Sequence, residues 1–145
     1  MTIDIPNAYI QTSMPKVKDG EDRIVMKVQG VLVDWLVEVE PDYAIFVVFK
    51  NGTKTLYLVV LKAIYGMLIA SMLWYKKLKG DLEGMGFHFN SYDPCVANRE
   101  KGGSQHTIRF HVDDIMSSHK DEKVNDEFYL QINDKYGELK EVTVH

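Results

Sequence analysis

Two adjacent aspartates, Asp113 and Asp114, sit in the run Phe110-His111-Val112-Asp113-Asp114-Ile115-Met116. Apolar, strand-like residues on both sides make this the tip of a β-hairpin, with the acidic pair in or beside the turn. Asp is a preferred turn residue, so the dipeptide alone is ordinary turn chemistry. Its meaning depends on what lies upstream and at what distance.

The remaining segments divide into strands and helices. Met1 to Ile5 reads as the end of a strand running into Pro6 and a short helical stretch near Asn7 to Gln11. Lys16 to Asp22 is a polar loop, and Arg23 to Gln29 alternates like a half-buried strand. Val31 to Val39 predicts a short helix stopped near Pro41. Ile45 to Lys50 and Thr53 to Val60 are β-rich runs joined by Asn51-Gly52, a strong hairpin signal. Gly66 to Met85 predicts a long helix, buried in its first half, with Gly84 and Gly86 at its end. Strands follow at Cys95 to Glu100 and His106 to Val112, turning at Gly102-Gly103. An amphipathic helix spans Asp121 to Tyr136 with Gly137 as its stop, and a last strand spans Leu139 to Val144. The fold class is therefore α+β, an antiparallel sheet with helices packed on one face, in a single domain over residues 1–145.

Bulk properties narrow the function classes. The 145 residues, 46% apolar and 26% charged, match a globular domain with its own core. No apolar run reaches the ~18 residues of a membrane span, so no membrane partner is expected. The single cysteine, Cys95, rules out an internal disulfide and fits a reducing, intracellular setting. The net charge of −4 argues against a free-standing nucleic-acid binder, which normally carries a positive excess. His106, His111 and His119 with Cys95 match none of the usual zinc spacings.

Upstream, Asp4 ends the first strand in Ile3-Asp4-Ile5-Pro6-Asn7-Ala8-Tyr9. Leu61-Lys62-Ala63-Ile64-Tyr65-Gly66 follows, then Trp74-Tyr75, Tyr92-Asp93-Pro94-Cys95, the aspartate pair, and Phe128 to Lys140. In this order the segments resemble the reverse transcriptase core of copia-type retrotransposons, over nearly the whole chain. The resemblance implies a ferredoxin-like polymerase palm and a nucleotidyl transfer in which two Mg²⁺ (or Mn²⁺) ions stabilise the developing charge. It implies Asp4 and Asp113 as bridging metal ligands and Asp114 as a supporting carboxylate, with template-primer and dNTP as partners. Tyr9 is either a steric gate under the sugar or a core aromatic. Tyr65 and Gly66 either approach template and base or form a strand-to-helix turn. Lys140 either donates a proton to pyrophosphate or is a solvated lysine.

The chain departs from the family pattern. Ile69-Ala70-Ser71 stands where relatives carry a Gln-Ser-Pro stretch, and His111 stands where an aromatic precedes the aspartates. The fingers would precede Asp4, and the thumb and RNase H regions would follow, so the 145 residues are expected to be inactive alone and to dimerise through uncovered apolar surface. Two readings stay open: the palm core of an RNA-directed DNA polymerase, or a domesticated, non-catalytic palm serving as an interaction module.

Overall fold

The computed structural model describes residues 1–18 and 22–137, and the backbone of residues 140–142. In chain order the elements are β1 (Thr2–Asp4), a 3-10 turn (Ala8–Gln11), β2 (Val25–Gln29), α1 (Val31–Val39), a second 3-10 turn (Pro41–Phe46), β3 (Val48–Lys50), β4 (Thr53–Val59), α2 (Ala70–Gly84), β5 (His88–Phe89), β6 (Val96–Lys101), β7 (Ser104–His111), β8 (Asp114–Ser118), α3 (Glu122–Tyr136) and β9 (Lys140–Val142). The chain is mixed α+β with antiparallel sheets. Its contacts divide it into two compact units, Met1–Ser13 with Lys62–His145, and Met14–Leu61. No helix among the described residues is long and apolar enough to cross a membrane.

The larger unit is built on a six-stranded sheet in the order β5-β6-β7-β8-β1-β9, every neighbouring pair antiparallel. Alternation along the strands sends Ile3, Ile5, Ala97, Ile108, Phe110 and Ile115 to one face, where they form a single core with Trp74, Leu78 and Leu82 of α2 and Phe128, Ile132 and Tyr136 of α3. Both helices therefore cover the same face of the sheet. The helix α3 starts at Asp121, whose carboxylate accepts from the Lys123 N–H, and stops at Gly137 with φ +62°.

Two expectations change. The helix α2 begins at Ala70, four residues after Gly66, because Gly66 at φ +91° cannot belong to a right-handed helix. The stretch between them is not buried, and Leu68 is 98% exposed. Ile45 and Phe46 belong to the second 3-10 turn rather than to β3. The expected strand from Leu139 to Val144 is present as β9, with its two ends lying outside the described residues.

One polar chain runs through the core. His106 is fully buried and accepts at Nδ1 from Arg99 Nε–H (3.1 Å), so its proton sits on Nε2 and is donated to Ser117 Oγ (2.8 Å). Ser117 in turn donates to Asn125 Oδ1 (2.8 Å). Burial, reinforced by the charge of Arg99, lowers the His106 pKa from 6.5 to about 4.

The smaller unit is a three-stranded sheet, β2-β4-β3, with α1 beside it. Its fully buried core is small: Val28, Val33 and Leu56, with Leu36, Tyr43 and Leu58 packed around them. Trp35, Val39, Ile45, Phe46 and Phe49 remain exposed.

A carboxylate site at a hairpin tip

The register of β1 and β8 pairs Asp4 with Asp114 directly across adjacent strands. Ile3, Ile5 and Ile115 are fully buried, so Asp4 and Asp114 lie on the opposite face, away from the helices. The Ile5 N–H donates to the Asp113 carbonyl at 2.9 Å, which makes Asp4 and Asp114 a non-hydrogen-bonded pair, the closer kind at roughly 4.5 Å between Cα atoms. Asp113 is thus the diagonal neighbour of Asp4 and sits in the turn itself. His111 pairs with Asp114 across β7 and β8, so His111, Asp114 and Asp4 form a row over three strands.

The turn at Val112-Asp113 is strained. Val112 has φ +56° while Asp113 does not share the positive sign, which is the sign pattern of a type II′ turn. A β-branched residue there is a true outlier, at a cost of about 1–3 kcal/mol. Two hydrogen bonds hold it. The Trp74 indole N–H donates to the Val112 carbonyl at 2.6 Å, and the Ile5 amide holds the Asp113 carbonyl.

Tyr65 and Tyr9 belong to the same cluster. The Tyr65 hydroxyl points at Asp113 Oδ2, a long contact at 3.5 Å, and its ring stands 4.4 Å from the ring of Tyr9. Desolvation, then the nearby charge of Asp113, raises the Tyr65 pKa, so the hydroxyl keeps its proton and acts as the donor. Tyr9 is half-buried against the main core while its ring meets Tyr65. Gly66 is needed for its backbone angle, since a Cβ there would meet nothing within 4 Å. Lys140 pairs in register with Asp4 on the other side, and its side chain lies outside the described residues.

The structure thus brings Asp4, Asp113, Asp114, Tyr9 and Tyr65 together. Among the described residues, no three His, Cys, Asp or Glu side chains converge closely enough to hold a metal ion. Sequence reasoning missed the Trp74 clamp and the Val112 strain. A branched residue immediately before an acidic pair in so tight a turn is the signal by which the second could have been found. No protein-family model, no curated protein and no solved structure matches the chain.

Proposed function

We propose that the larger unit is the palm of an RNA-directed DNA polymerase of the copia type, acting in two-metal nucleotidyl transfer on a template-primer with dNTP as the second substrate. The observation that carries this reading is the Asp4–Asp114 register with Asp113 in the adjoining turn. Support also comes from connectivity. Taken as β1-α2-β7-β8-α3-β9 with strand order β7-β8-β1-β9, the unit follows the βαββαβ pattern of ferredoxin-like folds, to which the palm is assigned.

The donor set fits the ion class. Carboxylates are the hard oxygen ligands Mg²⁺ and Mn²⁺ take, and Mg²⁺ normally uses one or two of them with water and substrate phosphates. The three carboxylates do not converge into a metal-holding set by themselves, so a triphosphate would have to supply further ligands. None of the ion pairs among the described residues involves these three carboxylates. Bound there, Mg²⁺ would supply charge stabilisation for the attacking and leaving oxygens. The chain's own residues set the geometry: Trp74 and Ile5 fix the turn, Tyr65 orients Asp113, and Tyr9 backs Tyr65 as a ring under the sugar.

The test is Mn²⁺ relaxation on wild type and Asp113→Asn, with and without dTTP. Binding should be weak alone, tighten with the triphosphate, and fall about tenfold in the variant, ~1.4 kcal/mol. A second reading is favoured by the exposed apolar residues of the smaller unit, Val39 and Ile45 among them at 83% and 81%. Under it the chain is a non-catalytic module that pairs with a second copy, and the Mn²⁺ curves of the two proteins coincide.

A further inference from the structure

A cavity of about 170 Å³ opens between α2 and the end of β7 in the larger unit. Tyr9, Trp74, Tyr75, Phe110 and Val112 line it, and two exposed residues, Ser71 and His111, stand at its mouth. The polar atoms of two of the lining rings are already committed. Trp74 Nε1–H donates to the Val112 carbonyl, and the Tyr75 hydroxyl donates to the Pro94 carbonyl at 3.2 Å. Ring carbon and valine methyls make up nearly all of what remains to face the space.

We propose that this cavity binds a small planar aromatic molecule, one ring or a fused pair, with at most one hydrogen-bonding group placed at the Ser71–His111 mouth. Size and chemistry both lead there. An apolar cavity of about 150 Å³ accepts benzene, whereas ordered water needs two to four polar partners that this interior does not offer. Aromatic walls favour an aromatic guest through offset and edge contacts. A sugar or a nucleotide is rejected, because its hydroxyls would be buried without partners. The cavity's own lining carries the inference, although the cavity shares Tyr9 with the site proposed above. Its consequence is local: the guest touches Val112 and Trp74, the two ends of the bond that holds the aspartate turn.

The test titrates indole and p-cresol into the ¹⁵N-labelled full chain. The Trp74 indole N–H and the Val112 and Asp113 amides should shift and saturate with Kd on the order of 1 mM, as expected for so small a ligand. The indole of Trp35, which is exposed in the smaller unit, should not follow. Cys95, the only cysteine, also lines the cavity and is half-buried. Its alkylation by iodoacetamide should slow about tenfold at ten times Kd, while ribose at the same concentration leaves it unchanged. Ser71→Phe, which fills the mouth, should abolish both effects. If that variant fails to fold, Cys95 protection in the wild type decides alone. Shifts that do not saturate, equal shifts at Trp35, or unchanged alkylation under saturating indole would overturn the proposal.

Discussion

Strand β7 begins and ends in a two-residue turn, and the two turns are built in opposite ways. At its start Gly102 and Gly103 take φ +58° and +69°, and Asn51-Gly52 between β3 and β4 does the same at +50° and +74°. Those residue types occupy positive φ at little cost. At the other end Val112 takes φ +56°, where a branched side chain is strained. Near the relaxed end, His106 is buried with every polar atom satisfied. At the strained end, Asp113 is half-exposed, its carboxylate met by the long Tyr65 contact at 3.5 Å, and Asp114 is exposed. Strain survives only where its surroundings over-determine it, here through Trp74 and Ile5. One strand thus ends in a satisfied buried network at one side and in positioned carboxylates at the other.

The largest effect expected from this contrast lies at the relaxed end. His106 titrates near 4 in the folded chain and near 6.5 unfolded. Above pH 6.5 both states hold it neutral and it has no pH-dependent effect. As pH falls from 6.5 to about 4, the unfolded chain takes up the proton first, so stability declines by about 3 kcal/mol over that window and levels off below it. Urea unfolding at intervals from pH 7 to 4 should show the decline. His106→Gln should be less stable at pH 7, because the Arg99–His106–Ser117 chain is broken, yet have a flatter slope. Equal slopes would place the acid sensitivity elsewhere and remove His106 from the comparison.

The next effect belongs to the strained end. Trp74→Phe keeps the ring in the core and deletes the N–H that holds the Val112 carbonyl. An acceptor losing its partner costs about 1–3 kcal/mol when buried, and half-exposed Val112 places the loss near 1. The loss should be local. Hydrogen exchange should quicken at Ile5, whose amide bonds to Asp113, and stay unchanged at Ser104, beside the glycine turn. Equal acceleration at both ends would mean that Trp74 supports the core and not the turn.

Much of this contrast was legible only in part. Asp121 and Gly137 carry their capping chemistry openly, and α3 falls where they place it. The α1 boundaries follow from its apolar run and Pro41. The start of α2 was harder, since Met67, Leu68 and Ile69 continue the apolar pattern while the Gly66 backbone forbids the helix. The division at Met14 and Leu61 has no linker to announce it: the two residues are joined by a backbone hydrogen bond of 3.0 Å. At the site, the aspartates declare themselves by residue type. What holds them does not, because Trp74 and Val112 are 38 residues apart and indole nitrogen reads as core. His106 looks like any alternating strand residue until Ser117 and Arg99 are placed beside it.

Val112→Gly gives the smallest and most discriminating effect. Relief of the positive-φ strain should return about 1–3 kcal/mol, and the added freedom of glycine in the unfolded chain should take back about 0.5–1. The net is a gain of about 1 kcal/mol, a direction opposite to that of most substitutions. The gain comes from the backbone and is held down by the loss of the half-buried Val112 methyls, which pack against the main core. If the Trp74 bond exists to hold a strained turn, it should matter less once the strain is gone. Trp74→Phe should then cost less in the Val112→Gly background than in wild type, a coupling readable in a double-mutant cycle because the two residues touch. Additive effects would mean that the bond and the strain are independent, and the two turns of β7 would differ in residue type without differing in purpose. A loss of stability on Val112→Gly that exceeds the loss on Val112→Ala would go further, since it would show that valine is at ease at φ +56° and that the strained end is not strained.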